Sequence, residues 1–309
     1  MGAETLAILS YLVLMNLGAF MTFGMDKFRA RRGMRRISER ALLLLVALGG
    51  ALGALAGMLV FHHKTRKPLF RIAVPVLLVF DLMIGGSALY FSDYYHADET
   101  ALKASEGTQA VEVYNLAPDK LAFVPQDPVA GLVFYPGAKV QAKAYAPLML
   151  QCAEQGVACV LVCPPLNFAL FDIGAAQGVK EQFPELDTWV FAGHSLGGVA
   201  VTEYLDGREG EADALVLLAS YSSADLTSFV GEVVSIAGTN DQVLNREAFQ
   251  GARANLPEGA AELAIEGGNH AYFGNYGEQR GDGEATISRE DQQAQTVARI
   301  MAVVDEESE

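Results

Sequence analysis

Three long apolar runs lie within the first 91 residues, and they restrict the fold of this part of the chain strongly. Residues 6–25 and 41–61 contain no charged side chain, and residues 72–91 contain only Asp81. About 20 apolar residues in an α-helix can cross the hydrocarbon core of a bilayer. The first run has no basic segment before it, which is unlike a cleaved signal peptide. We therefore predict a helical membrane domain over residues 1–91, with two or three membrane-embedded helices.

Two basic loops separate the apolar runs and bear on the topology of this domain. Residues 26–40 hold seven Lys or Arg and residues 62–71 hold four, so both loops should face the cytoplasm. If the second run crosses the bilayer completely, however, the two loops lie on opposite sides of the membrane. Either this rule is broken once, or the second run, which carries four glycines, does not cross fully and forms a re-entrant hairpin.

The third apolar run has basic residues before it and acidic residues after it. Taken alone, this run should pass from the inside to the outside of the cell. We therefore expect a multi-pass protein of the cell membrane whose second domain lies outside the cytoplasm.

The charge of the chain changes sign after the apolar runs. Residues 1–91 hold 11 Lys or Arg and four Asp or Glu, whereas residues 92–309 hold 11 and 33. Such a division indicates a second, acidic domain over residues 116–309, preceded by a connector at residues 92–115. An acidic domain repels phosphate groups, so we predict no nucleic-acid partner. The basic residues of the first domain are expected to contact membrane lipids.

Short motifs lie within and beside the second apolar run: Asp26-Lys27 with Ala30, Ile37-Ser38-Glu39, Gly49-Gly50 with Gly53, and His63-Lys64-Thr65. In these pieces the first domain resembles a small, uncharacterised bacterial integral-membrane family over about 70 residues. The resemblance implies no activity. We interpret His63 and Lys64 as anchors beside lipid head groups, with a lipid or ion site as the alternative. Asp81 is a functional candidate because a charge inside an apolar membrane segment is costly.

Apolar strands alternate with helical segments along the acidic domain. After a strand-like piece at residues 111–117, the predicted strands are residues 131–135, 157–162, 188–192, 214–218, 232–237 and 261–265. Helical spacing follows at residues 145–154, 174–183, 198–205, 246–254 and, with Ser288 as N-cap, 288–304. Continuous apolar strands of this kind predict an α/β fold, a mostly parallel sheet covered by helices on both faces.

The octapeptide FAGHSLGG, residues 191–198, contains a G-x-S-x-G pattern whose position is more informative than the pattern itself. Ser195 follows a predicted strand and precedes a predicted helix, which is the context of a nucleophile elbow. Gly193 and Gly197 allow the two arms of such a turn to pass closely. In a parallel sheet, functional residues gather at the carboxyl ends of the strands. Ser195 is therefore the candidate nucleophile.

A serine nucleophile needs a general base, and the base needs an orienting carboxylate. When the serine lies in such a turn, the acid and then the histidine follow it in the chain. His270 is the one histidine that follows Ser195 in the sequence, whereas His194 is interpreted as structural. Asp241 follows a late strand and is the predicted acid, with Asp213 and Asp225 as alternatives.

Acyl transfer also needs hydrogen-bond donors for the oxyanion. We predict the backbone N–H groups of Leu196 and Ala138 as donors, with Gly137 allowing the close approach. Three aromatic side chains beside the predicted triad are candidates for substrate binding: Phe168, Tyr272 and Phe273. Packing against the edge of the sheet is an equally good interpretation of these aromatics.

Neither a cap domain nor a cofactor is expected. Leu218 and Glu232 are separated by 13 residues, which are too few for a cap, so the site should be open. Gly281-Asp282-Gly283 lacks the spaced carboxylates of a calcium loop, and we interpret it as a plain turn. The three cysteines lack zinc spacing. We predict no metal and no other cofactor.

Several motifs of the acidic domain occur together: SDYYHA, FYPGAKV, GHSLGG, GTND, EGGNHAYFGNYG and GDGEATISREDQQ. With them, the chain from about residue 92 to residue 305 resembles a bacterial α/β-hydrolase family of the dienelactone-hydrolase-like kind. The resemblance implies an α/β-hydrolase fold and a triad that maps onto Ser195, Asp241 and His270. We expect a membrane-anchored serine hydrolase that cleaves an ester, thioester or lactone of a small acyl compound or lipid. A peptidase and a non-catalytic binding or scaffolding protein are the alternatives.

Overall fold

The computed structural model describes residues 3–308 and divides the chain into two compact units, Met1–Asp93 and Tyr94–Glu309. The first unit contains the helices α1 (Ala3–Arg31), α2 (Glu39–Leu45), α3 (Ala51–Val60) and α4 (Pro68–Ser92). Three segments are long and apolar enough to span a membrane: Leu6–Arg31, Glu39–Val60 and Pro68–Ser92. Large apolar side chains on α1 and α4 are exposed, Leu14 and Met83 among them, as is typical of helices that face lipid.

The second of these segments is not one straight helix. Leu48 (φ −90°, ψ 23°) and Gly49 (φ 95°, ψ 13°) are non-helical and separate α2 from α3. The Asn16 amide donates to the carbonyl of Gly49 (2.9 Å), and its oxygen accepts from the amide of Gly53 (2.7 Å). The Tyr11 hydroxyl donates to the carbonyl of Leu48 (2.7 Å). Side chains of α1 thus satisfy backbone groups that the break leaves open, which an apolar environment requires.

Both ends of this bent segment lie at the same level of α1. Asp26 accepts a hydrogen bond from the amide of Ile37 (2.8 Å), just before α2, and is hydrogen-bonded to Nε2 of His63 (2.8 Å), just after α3. The bend itself meets α1 at Asn16, ten residues or about 15 Å earlier along the helix. Consequently α2 and α3 form a helical hairpin whose two ends lie near Asp26 of α1.

The second unit contains an eight-stranded sheet in the order β1-β2-β4-β3-β5-β6-β7-β8. Its strands are β1 (Val111–Ala117), β2 (Lys120–Pro125), β3 (Ala130–Tyr135), β4 (Val157–Val162), β5 (Trp189–His194), β6 (Ala214–Leu218), β7 (Glu232–Gly238) and β8 (Ala261–Ile265). Strand β2 runs antiparallel to both neighbours, and the other pairs are parallel. The mostly parallel sheet predicted from the sequence is confirmed.

Helices cover both faces of this sheet. They are α5 (Glu99–Ala104), α6 (Ala146–Ala153), α7 (Leu196–Leu205), α8 (Arg246–Gly251) and α9 (Arg289–Ser308). Leu132 and Phe134 of β3 belong to the hydrophobic core that includes α6 and α9, whereas Val133 and Tyr135 belong to the core that includes α7. This alternation places the two cores on opposite faces, since successive side chains of a strand point to opposite sides.

Some local predictions differ from the structure. Residues 174–183, predicted as a helix, contain only the short 3₁₀ turns Ile173–Ala176 and Lys180–Gln182. Gly178 between them has φ 76°, a left-handed conformation that ends a helix. The connector at residues 92–115 contains α5 and the start of β1, and β2 was not predicted. The N-cap of α9 is confirmed, because the Ser288 hydroxyl accepts from the amide of Asp291 (3.0 Å).

Candidate active site

Ser195 lies in the tight turn between β5 and α7. Its backbone angles are φ 51° and ψ −124°, a region that is costly for a residue with a side chain and often marks functional sites. Its amide donates to the carbonyl of Leu218 (2.9 Å), and its carbonyl accepts from the hydroxyl of Ser220 (2.6 Å). These two hydrogen bonds tie the turn to the carboxyl end of β6.

Two glycines make the turn possible. A Cβ atom on Gly193 would lie 2.5 Å from the carbonyl carbon of Gly197. A Cβ atom on Gly197 would in turn collide with the carbonyl oxygens of Tyr135 and Pro136. The start of α7, with the amide of Leu196, is thereby held close to the turn that follows β3.

His270 and Asp241 form a buried hydrogen-bonded pair at the ends of β8 and β7. Nδ1 of His270 lies 2.8 Å from Oδ2 of Asp241. Oδ1 of Asp241 accepts from the amides of Val243 (2.9 Å) and Leu244 (2.8 Å). Burial by itself raises the pKa of Asp241, but the hydrogen bonds from His270 and from the two amides outweigh it and lower that pKa below its usual range. The carboxylate is therefore ionised at neutral pH.

The other ring nitrogen of His270, Nε2, is buried and has no hydrogen-bond partner among residues 3–308. The imidazole ring of His270 lies 4.6 Å, centroid to centroid, from the ring of His194, the residue directly before Ser195. The structure thus joins the predicted acid to the predicted base. It does not record a hydrogen bond between the base and Ser195, and in unliganded enzymes such bonds are commonly long.

His194 is held by neighbours on the other side of the site. The Tyr145 hydroxyl lies 2.7 Å from Nδ1 of His194 and accepts from the amide of Gly137 (3.1 Å). Burial, together with the nearby His270, holds the pKa of His194 well below its usual value. His194 is therefore neutral, which agrees with its interpretation as a structural residue.

The predicted oxyanion donors lie at the carboxyl end of β3 and the start of α7. The amides of Leu196 and Ala138 donate to no acceptor within the described part of the chain, and both residues are half-buried. The amide of Gly137, in contrast, is already bonded to Tyr145. A Cβ atom on Gly137 would lie 2.8 Å from Nδ1 of His194, so this glycine permits close packing and is not a free donor.

The three aromatic candidates for substrate binding occupy different environments. Phe168 is half-buried, with its ring 5.0 Å from that of Phe171. Tyr272 is half-buried beneath the guanidinium of Arg289, 4.7 Å from its ring centroid. Phe273 is fully buried and lies 5.5 Å from the ring of His194. Phe273 therefore belongs to the hydrophobic core, and its role in substrate binding stays a prediction.

The two alternative acids, Asp213 and Asp225, form hydrogen bonds with residues other than His270. Asp213 accepts from the amide of Trp189 (2.7 Å), at the start of β5 and so at the opposite end of this strand from Ser195. Asp225 is exposed and accepts from the amide of Thr227 (3.1 Å). Among residues 3–308, no group of three or more His, Cys, Asp or Glu side chains has a metal-binding arrangement.

Two residues near the site were not found by sequence reasoning. Tyr145 lies in a 3₁₀ turn before α6, and no motif marks it. Asp282 accepts from the amide of Ala271 (2.9 Å), the residue after His270. The motif GDGE, which contains Asp282, is the sequence feature that could have indicated this contact, but its pattern is also that of a plain turn.

Comparisons with known proteins agree with this architecture. Residues 131–294 match the family described as "Alpha/beta hydrolase family", and residues 16–70 match "Protein of unknown function (DUF1294)". The uncharacterized protein YsdA of Bacillus subtilis (strain 168) is 42% identical over 87 residues, which are 28% of this chain and 96% of that protein.

Solved structures of low identity are also similar to part of this chain. TT1662 from Thermus thermophilus has 15% identity and a TM-score of 0.46, covering 63% of this chain and 98% of its own. Dienelactone hydrolase from Anabaena variabilis ATCC 29413 has 13% identity and a TM-score of 0.49, covering 63% of this chain and 99% of its own. Because the family match at residues 131–294 covers more than half of the chain, this protein belongs to the α/β-hydrolase family, with a DUF1294 region preceding the hydrolase domain.

Proposed function

We propose that this protein is a membrane-anchored serine hydrolase that cleaves an ester, thioester or lactone through an acyl-enzyme. The observation that carries the proposal is the buried pair of His270 and Asp241, joined at 2.8 Å, with Nε2 of His270 unpartnered among residues 3–308. The strained turn at Ser195 supports it, because nucleophile elbows have this backbone.

In the proposed reaction, Oγ of Ser195 attacks the acyl carbon while Nε2 of His270 takes the hydroxyl proton. The ionised Asp241 stabilises the imidazolium that forms. The imidazolium then gives its proton to the leaving group, and the acyl group stays on Ser195. Finally His270 takes a proton from water as the water oxygen attacks the acyl carbon. The tetrahedral intermediate then breaks its bond to Oγ, the imidazolium returns the proton to Oγ of Ser195, and the acid is released.

The oxyanion of each tetrahedral intermediate would accept hydrogen bonds from the amides of Leu196 and Ala138. Losing one such donor typically costs about 3 kcal/mol of barrier. Between β6 and β7 the chain has only 13 residues, so no cap domain covers the site from this connection. An open site suits a small acyl compound or a lipid.

Kinetics of the purified full-length chain test this proposal. The substrates are 4-nitrophenyl acetate, a matching thioester, a lactone and an anilide. Ser195→Ala or His270→Ala should lower kcat for the acyl substrates by about 10⁴-fold or more. Ser223→Ala, which removes an exposed hydroxyl that donates to Glu203, should keep wild-type kcat. Cleavage of the anilide alone would indicate a peptidase, and no turnover of any substrate would indicate a binding protein.

We also propose that Met1–Asp93 anchors the protein in the cell membrane with its basic loops in the cytoplasm. In this proposal the hairpin of α2 and α3 is re-entrant and does not cross the bilayer. The contacts of Ile37 and His63 with Asp26 support this, because they hold both basic loops at one end of the unit, as the positive-inside rule requires. Helix α4 starts at that end and runs 25 residues, enough to cross. The chain after Asp93 would then begin outside the cytoplasm.

A further inference from the structure

A three-residue segment, Asp282–Glu284, lies beside the loops that follow β7 and β8, and we call it the clamp. Oδ2 of Asp282 accepts from the amide of Ala271 (2.9 Å), and Oδ1 accepts from the amide of Gln242 (3.3 Å). These amides belong to the residues directly after the proposed base and the proposed acid. One carboxylate therefore bridges the two loops.

The backbone of the clamp contacts the residues directly before the acid and the base. The carbonyl of Gly283 accepts from the side-chain amide of Asn269 (2.9 Å), and the carbonyl of Glu284 accepts from that of Asn240 (2.9 Å). A Cβ atom on Gly283 would collide with the carbonyl oxygen of Asn240. The clamp thus holds both neighbours of the acid and both neighbours of the base.

The clamp adds to direct bonds between the two loops, which follow different strands. The sheet pairs β7 with β8 from Val234↔Ala261 to Gly238↔Ile265. Beyond these positions the amide of Thr239 donates to the carbonyl of Ile265 (3.0 Å), and the amide of Asn240 donates to the carbonyl of Gly268 (2.8 Å). Asp241 and His270 lie one and two residues past the last of these backbone bonds, and it is the residues directly after them that Asp282 joins.

We propose that Asp282 is a positioning residue of the hydrolase, which keeps the hydrogen bond between Asp241 and His270 aligned by holding their loops together. This inference rests on the proposed function. Asp282 does not need to touch the substrate, because it acts through the amides of Gln242 and Ala271. Its loss should therefore lower kcat and leave KM unchanged, since the aligned pair matters once His270 carries the proton.

The experiment compares Asp282→Ala, Asp282→Asn and Glu278→Gln with the wild-type full-length chain, using 4-nitrophenyl acetate. A misplacement of about 1 Å at a catalytic group can cost 10²-fold, so kcat of Asp282→Ala should fall by about ten- to a hundredfold. Asp282→Asn keeps one acceptor oxygen and should recover part of that loss. Glu278→Gln removes an exposed carboxylate from the same loop and should keep wild-type kcat.

The outcomes test the positioning role of Asp282 separately from the proposed hydrolase function. A wild-type kcat in folded Asp282→Ala overturns the positioning role, as does an equal loss in Glu278→Gln or a change confined to KM. If Asp282→Ala does not fold, as judged by its thermal melting, Asp282→Asn alone decides by the same criteria. If the wild type reacts with no acyl substrate and binds no fluorophosphonate, the proposed function fails and the clamp inference fails with it.

Discussion

His194 and His270 have different hydrogen-bond partners although their rings lie only 4.6 Å apart. The Tyr145 hydroxyl bonds to His194, and burial lowers the pKa of its ring. His270 is bonded instead to the ionised Asp241, and a carboxylate in this position stabilises an imidazolium. A second positive ring at this distance would oppose the first. These surroundings support His270, and not His194, as the proposed general base.

The lowered pKa of His194 predicts a pH dependence of stability. Below about pH 6.5 an unfolded histidine binds a proton, whereas the buried His194 does not, so the folded state loses stability as the pH falls, by up to about 1.4 kcal/mol per pH unit. His194→Asn offers the Tyr145 hydroxyl an acceptor and does not titrate. The decrease in Tm between pH 7.5 and pH 5.5 should therefore be smaller in His194→Asn than in the wild type.

The control for this measurement is His96→Asn, because His96 is exposed and its replacement should leave the pH dependence of Tm as in the wild type. An equal pH dependence in His194→Asn and wild type would contradict the neutral state assigned to His194.

At the scale of elements, the turn at Ser195 depends on contacts between β3, β5 and α7. The tightest of these contacts is at Gly197, where an added Cβ atom would collide with the carbonyl oxygens of Tyr135 and Pro136. An added methyl group would push α7 away from β3, and with it the amide of Leu196 away from Ala138. The same contact thus affects the stability of the sheet and the proposed oxyanion site.

Gly197→Ala should lower the free energy of unfolding by about 1–3 kcal/mol, as overpacking typically does, and should slow hydrolysis of 4-nitrophenyl acetate. Thermal melting and kcat are the measurements. Gly210→Ala is the matched control, because a Cβ atom at Gly210 would meet nothing within 4 Å. A Gly197→Ala protein with wild-type Tm and kcat would show that the turn tolerates a wider separation.

Elements with a strong local sequence pattern could be predicted from the sequence, whereas elements that depend on distant contacts could not. Strands such as 157–162 and 214–218 were predicted at their observed bounds, because apolar residues fill them and polar or Gly and Pro residues flank them. The bend at Leu48 and Gly49 was left open, since the contact that stabilises it joins Gly49 to Asn16, 33 residues away. Helical spacing at 174–183 was misleading because Gly178 takes a left-handed conformation.

At the scale of the whole molecule, the chain joins a unit with lipid-compatible surfaces to an acidic hydrolase domain. The alternation of strands and helices predicted a mostly parallel α/β sheet with an elbow at Ser195, and the resemblance of several motifs implied the hydrolase fold. The sequence did not predict the clamp, because the hydrogen bonds that Asp282 accepts from the amides of Ala271 and Gln242 join segments that are separate in the sequence. The pairing of Asp241 with His270 was foreseen from chain order and is present as a buried contact.

The proposed topology predicts the behaviour of fusion proteins. Alkaline phosphatase is active only when it is exported, so a fusion after Glu309 should be active, whereas a fusion after Arg36, within the first basic loop, should be inactive. Green fluorescent protein at the same two positions should give the reverse pattern. An inactive phosphatase and a fluorescent protein after Glu309 would place the hydrolase domain in the cytoplasm and contradict the proposed orientation.

The proposed hydrolase requires an activated nucleophile at Ser195, and covalent labelling detects one. The purified full-length protein and Ser195→Ala are treated with a fluorophosphonate probe, and the modified peptide is located by mass spectrometry. We predict one modification on Ser195 in the wild type and none in Ser195→Ala. A folded wild-type protein that remains unmodified, or a probe attached equally in Ser195→Ala, would contradict the account.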